Sequence, residues 1–189
     1  MAFGANQLRT IWSDTSYRRS VVAIAVSVCC LLPDGRARAA VSLEDLRIVG
    51  RVVTFQTQRP SGPLRLAIVY DADSAKSRDA AHSIARSMTP ELIVDNLRLQ
   101  PILIEQSRLA EADVGAVLSL EGVDDRVLGS AMDRLRIPCL TTDLAQVRSG
   151  ACTVGIRSGP RVDIVINTQN ARSNRVRFAT AFLMMAREI

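Results

Sequence analysis

The chain has 189 residues, with 24 Lys and Arg against 19 Asp and Glu, and hydrophobic residues make up 48 % of it. That length holds one ordinary domain, and an apolar content of this size beside 23 % charged residues excludes disorder as the main state. Low complexity and fixed-period repeats are absent.

The first forty residues read as an export signal. Arg9, Arg18 and Arg19 precede an uncharged run from Ser20 to Leu32, which Pro33, Asp34 and Gly35 break. Ala37-Arg38-Ala39 then offers the small-x-small spacing of a signal-peptidase site. The run is about a dozen residues, short of the roughly 20 that span a bilayer. The reading is a signal peptide over 1–39, cut between Ala39 and Ala40, with residues 40–189 as a single domain. Arg18-Arg19 followed by apolar residues leaves both the general and the twin-arginine export routes open, since Tyr17 stands where Ser or Thr is usual. Cys29 and Cys30 read as apolar filler, because Val28 is too large for a lipobox.

Without this segment 19 basic and 17 acidic residues remain, a net charge of +2. Only Arg172, Arg175 and Arg177 cluster, with no interleaved aromatic beyond Phe178, so a solvated helix end is expected there and nucleic acid is not. Cys139 and Cys152 remain. An even pair in an exported domain favours a disulfide over two buried free thiols.

Along the remaining chain, Ser42 with Asp45 three residues on gives a capping-box start, and Leu46, Val49 and Val53 follow at helical spacing to about Thr54. Their β-branched content leaves a strand open as the alternative. After the break Arg59-Pro60-Ser61-Gly62-Pro63, Leu64–Tyr70 reads as a strand. Asp71-Ala72-Asp73-Ser74 turns into a helix with Ala81, Ile84, Ala85 and Met88 on one face. Leu97–Glu105 is a second strand, at an edge because Pro101 cannot donate to a ladder, and Val114–Leu120 is a third, buried on both faces. Val127, Leu128, Ala131 and Leu135 mark the next helix, Ile137–Thr141 a fourth strand, and Leu144 with Val147 a helical turn. Thr153–Ile156 and Arg161–Asn167 form a hairpin around Arg157-Ser158-Gly159-Pro160, the second strand having one wet face. A helix over Phe178–Arg187 closes the chain. Strands alternating with helices imply a three-layer α/β domain on a mainly parallel sheet, of flavodoxin- or Rossmann-like type, with an antiparallel C-terminal hairpin and a terminal helix.

Catalytic signals are poor. His82, the one histidine, lies on a helix with no Gly-x-Ser-x-Gly elbow to accompany it, and a zinc site needs more Cys and His than remain. No glycine pattern matches a dinucleotide fingerprint or a phosphate loop. An enzyme, a metal and a cofactor are therefore not expected. Open parallel sheets bind ligands at the carboxyl ends of their strands, which makes Asp71, Ser74, Thr141, Thr142 and Asp143 the candidates for holding a small polar ligand. Each also suits a helix cap or turn. The last helix carries Phe178, Phe182, Met185 and Ile189 on one stripe and little polar circumference elsewhere, so Phe178, Phe182 and Met185 are candidates for a protein interface, with packing on the sheet as the alternative.

Pro138-Cys139-Leu140-Thr141-Thr142-Asp143, Arg148-Ser149-Gly150-Ala151-Cys152, Arg161-Val162-Asp163-Ile164-Val165-Ile166-Asn167 and the final FATAFLMMARE segment resemble the YfiR family of periplasmic proteins, over roughly residues 42–189 and most clearly from 114 onward. The stretch Val49–Pro60 departs from that family, offering only Phe55 and Arg59-Pro60 where an aromatic-rich helix is usual. The resemblance implies a periplasmic regulator that binds proteins: a homodimer restraining a membrane signalling enzyme such as a diguanylate cyclase, with the periplasmic part of a membrane protein or an outer-membrane lipoprotein as partner. It also implies a disulfide at the position of Cys139 and Cys152. The same segment is similar to one lobe of ABC-type periplasmic substrate-binding proteins, which implies a ligand-sensing half-lobe.

Overall fold

The computed structural model describes residues 41–58, 60–89, 91–159 and 161–189; the signal peptide expected over 1–39 and the expected cut after Ala39 lie outside them. Helix α1 (Leu43–Thr54) begins where its capping box requires: the Ser42 hydroxyl accepts from Asp45 N, and the Asp45 carboxylate accepts from Ser42 N. Strand β1 (Gly62–Tyr70) leads into α2 (Ala75–Ser87), the hairpin β2 (Leu92–Val94) and β3 (Leu97–Glu105), and a 3-10 helix (Gln106–Glu111). Then follow β4 (Ala116–Ser119), α3 (Asp125–Leu135), β5 (Cys139–Thr141), α4 (Leu144–Arg148), β6 (Val154–Arg157), β7 (Asp163–Ile166), α5 (Thr168–Ser173), α6 (Thr180–Leu183) and β8 (Arg187–Glu188).

All eight strands join one sheet in the order β2-β3-β1-β4-β5-β6-β7-β8. The run β3-β1-β4-β5-β6 is parallel throughout, and the pairs β2–β3 and β6–β7 are antiparallel. Read in chain order, the five parallel strands have the flavodoxin arrangement: the chain leaves β1 toward one side and returns past it to the other. Alternating side chains feed two cores. Leu64, Leu66 and Ile68 of β1 pack with α1, α2 and Phe182 on one face; Ala67 and Val69 pack with Leu109 of the 3-10 helix and Leu128 and Met132 of α3 on the other. Helix α4 lies so close to that second face that a Cβ on Gly155 would overlap the side chain of Leu144 and come within 2.9 Å of Val147, so residue 155 has room only for hydrogen.

Cys139 and Cys152 are joined by a disulfide that closes a separation of 13 residues, with Cα atoms 4.9 Å apart. Pro101 falls on an open edge, as expected, although β3 itself is only half an edge strand. Gly62 N donates to Asn96 O while Gly62 is in register with Leu97, so the even-numbered residues of β3 bond to β1 and the odd ones face away. Leu97 and Leu99 meet β2 there, and Pro101 comes just after β2 ends, where a missing N–H costs no ladder bond.

Three expectations need correction. The buried stripe of α3 is Leu128, Ala131 and Met132, rotated so that Val127 is exposed. The expected wet face of β7 is covered, because Val165 is buried against Leu144 and Val147 of α4. The closing helix is not continuous: α6 has four residues, and Arg187–Glu188 instead pairs parallel to β7. Its end is held to the sheet by Ile189 N, which donates to Ile166 O, and its start is displaced because Thr57 N donates to Arg177 O and Ala179 N to Phe55 O. The latter two bonds hold Phe178 extended beside the end of α1, and a residue bonded that way cannot start a helix.

Candidate ligand site at the carboxyl edge

The loops that leave β1 and β4 turn to opposite faces of the sheet, the switch point at which open α/β sheets bind their ligands. The loop after β1 is drawn tight by its own side chains. Asp71 N donates to Ser77 Oγ at 3.1 Å, Asp73 N donates to Asp71 Oδ1 at 3.0 Å, and the Ser74 hydroxyl caps α2 by accepting from Ser77 N at 3.2 Å. Ser77 Oγ donates onward to the Glu121 carbonyl at 3.4 Å, tying this loop to the one after β4.

Gln106, the first residue after β3, completes the join. Its Nε2 donates to Asp71 Oδ1 at 3.1 Å and its Oε1 accepts from Asp124 N at 2.7 Å. Asp124 caps α3 by accepting from Arg126 N and Val127 N. Those two backbone donors, with a smaller attraction from the Arg126 guanidinium, hold the Asp124 carboxyl below the usual aspartate value against a slight desolvation. Loops from three strands thus meet through one amide side chain.

The end of β5 is bonded in a similar way. The fully buried Thr141 hydroxyl donates to Gln146 Oε1 at 2.8 Å and accepts from Asp143 N at 3.0 Å, while Gln146 Nε2 donates to the Leu120 carbonyl at 3.3 Å. Asp143 caps α4 through Ala145 N.

Of the five residues expected to hold a ligand, Asp71, Ser74, Thr142 and Asp143 stand half-buried around the ends of β1 and β5, with β4 between. Thr141 is a structural tie beneath them. Gln106, Ser77 and Gln146 escaped sequence reasoning. The end of β3 carried the same signal as the other strand ends, and a glutamine on the buried side of a turn flanked by Leu144 and Val147 needs an internal partner. Asp71, Asp73, Glu121, Asp124 and Asp143 give the rim a carboxylate character, with Lys76 Nζ 3.9 Å from Glu121 and the Arg78 guanidinium donating to Ala72 O. Among the described residues no group of three or more His, Cys, Asp or Glu is placed to hold a metal, and His82 is exposed on α2.

The expected partner-facing stripe divides. Phe178 and Phe182 are buried, with the Phe182 ring 4.8 Å from Phe178 and 5.6 Å from Phe55, whereas Met185 is 60 % and Met184 84 % exposed.

Fold and edge together define an α/β domain of flavodoxin-like type with its polar residues gathered at the carboxyl ends of the strands. Among solved structures it is similar to an ABC domain in complex with L-Trp from Streptococcus pneumonia, at a TM-score of 0.51 and 11 % identity over 74 % of this chain and 59 % of that one. It is also similar to a conserved domain protein from Vibrio cholerae O1 biovar eltor, at a TM-score of 0.49 and 11 % identity over 77 % of this chain and 58 % of that one. The chain therefore spans under three fifths of the second structure and just under three fifths of the first. At this identity the likeness concerns the fold. No family model matches the chain, and no curated protein matches it.

Proposed function

We propose that the chain is a small-molecule-binding domain, a single lobe that holds a polar ligand in the crevice between the carboxyl ends of β1 and β4. The observation that carries this is the Gln106 bridge, which fixes three strand-end loops around one point before any ligand arrives; binding then costs little ordering. Asp71, Ser74, Thr142 and Asp143 are the first candidates for contact. The L-Trp in the similar ABC domain supports amino acids as the first class to screen: an ammonium group suits the rim carboxylates, and a carboxylate suits the amino end of α2. A thermal-shift screen with amino acids and other small metabolites tests the reading. A ligand at about 100 times its Kd adds about 2.7 kcal/mol of stability, and the shift should vanish in Asp71→Asn and in Thr142→Ala/Asp143→Asn. A full screen without a stabilising compound, or a shift indifferent to these substitutions, contradicts it.

A second reading is a periplasmic regulator of the kind the YfiR resemblance implies. It is supported by the Cys139–Cys152 bond, which suits an oxidising compartment, and by the exposed Met184, Met185 and Ile189 beside the last strand. In this reading the exported chain, freed of residues 1–39, acts as a homodimer, docks on the periplasmic part of a membrane protein or on an outer-membrane lipoprotein, and turns over no substrate. Capture of such a partner from envelope extracts by the wild type, and its loss in Met184→Lys/Met185→Lys, supports this reading; capture of nothing, or equal capture by both, rejects it.

A further inference from the structure

Next to the Gln106 bridge, a groove of about 540 Å³ runs between the 3-10 helix and α3. Its floor is Ala110 and Ala131, its outer wall carries Arg126, Ser130 and Arg134, and Ser107 faces them from the 3-10 helix. Residues 126, 130 and 134 follow at four-residue steps, so they form one row along α3, with Arg126 and Arg134 about 12 Å apart along the axis. Each guanidinium is long enough to swing toward Ser130, midway between them. The one carboxylate in the lining, Asp124, stands at the amino end of α3, where its Oδ1 accepts from the amides of Arg126 and Val127, a full turn or more from Ser130 and Arg134. Three other cations near this edge are paired or bonded: Arg108 with Glu105, Lys76 with Glu121, and Arg78 with Ala72 O. Among the described residues Arg134, Ser107 and Ser130 have no side-chain hydrogen bond or ion pair, and Arg126 has only its attraction to Asp124.

We infer that this groove binds the anionic group, a phosphate or a carboxylate, of a small molecule. Two guanidinium groups are strong donors to such an oxyanion, and two hydroxyls between them complete its hydrogen bonding. The small side chains of Ala110 and Ala131, both in the lining, leave room for it between the two helices. The inference deepens the binding-domain reading and rests on it, because Gln106 belongs both to this lining and to the Asp71–Asp124 bridge.

The test is an amide-shift titration of isotopically labelled protein with inorganic phosphate and, separately, succinate, at constant ionic strength set with chloride. The expected result is saturable shifts at Ser107, Arg126, Ser130 and Arg134 with at least one of the two probes, and at least tenfold weaker binding in Arg126→Gln/Arg134→Gln. Both positions are exposed, so the variant should keep its thermal midpoint; if it does not, Ser107→Ala/Ser130→Ala gives the same readout without removing charge. Non-saturable or scattered shifts with both probes, or equal affinity in the variants, overturn the inference. A metabolite lost on Asp71→Asn but bound normally by Arg126→Gln/Arg134→Gln would sink this inference alone and leave the binding-domain reading standing.

Discussion

Gln106 and Asp71 are 35 residues apart in the chain, yet Nε2 of the first donates to Oδ1 of the second at 3.1 Å. The same amide accepts from Asp124 N, so a single side chain holds the ends of β1 and β3 and the start of α3 together. Gln106→Ala removes both bonds, and Asp71 Oδ1 keeps only Asp73 N. The expected loss in urea unfolding is about 1 to 2 kcal/mol, accompanied by weaker ligand binding. Gln106→Leu, which keeps bulk and loses both bonds, should behave alike; a variant as stable as wild type would show that the bridge is dispensable.

The Cys139–Cys152 bond closes a loop of about 14 residues, which in the chain-entropy model contributes roughly 3 kcal/mol. Cys139→Ser, Cys152→Ser and reduction of the wild type should each lower stability by a similar amount, since each removes the same cross-link. Peptide mapping under non-reducing conditions should recover the two cysteines linked.

Asp45 makes the amino end of α1 sensitive to acid. Burial disfavours its charge, but the nearby hydroxyl and amide of Ser158 and the hydrogen bonds that Ser42 donates from its hydroxyl and amide outweigh that cost and hold its pKa below the usual aspartate value. Below that usual value, about 3.9, the unfolded chain takes up a proton before the folded one does, so this contribution is complete near neutrality and falls away as pH drops below about 4. Asp45→Asn should cost about 1 kcal/mol at pH 7, with the gap to wild type narrowing in urea titrations carried from pH 7 toward pH 3. A gap constant with pH would contradict the assignment.

Phe182 and Met185 lie three residues apart but behave as different kinds of residue. Phe182→Ala should cost about 3 to 5 kcal/mol, as for a buried ring, whereas Met185→Ala should stay within about 0.5 kcal/mol. Comparable small effects from both would restore the partner-facing stripe that the sequence suggests.

Where local chemistry decides the outcome, the sequence announces it. The Ser42–Asp45 box, the apolar runs of β1 and β4, and the hairpin around Ser158-Gly159 all stand where their residue types place them. The three-residue β2 is too short for a periodic signal, and its turn depends on Asp95 at φ 52°, a conformation that aspartate adopts only with support. The C-terminal stripe misleads for a different reason: Phe178, Phe182 and Met185 fit a helical period, but long-range bonds to Phe55 and Thr57 override it. At the site, strand ends located Asp71, Ser74, Thr142 and Asp143. Gln106 acts through partners 18 and 35 residues distant, and Gln146 joins Thr141 to the Leu120 carbonyl 26 residues away, links that periodicity does not register.

In the proposed function this domain receives a small ligand where β1, β3, β4 and β5 end. Amide-shift mapping with any compound found to raise the thermal midpoint tests it most directly. Saturable changes concentrated at Asp71–Ser77, Gln106, Glu121–Asp124 and Thr142–Asp143 are the predicted result. Changes concentrated at Met184–Ile189 instead, with the strand-end loops silent, would contradict it.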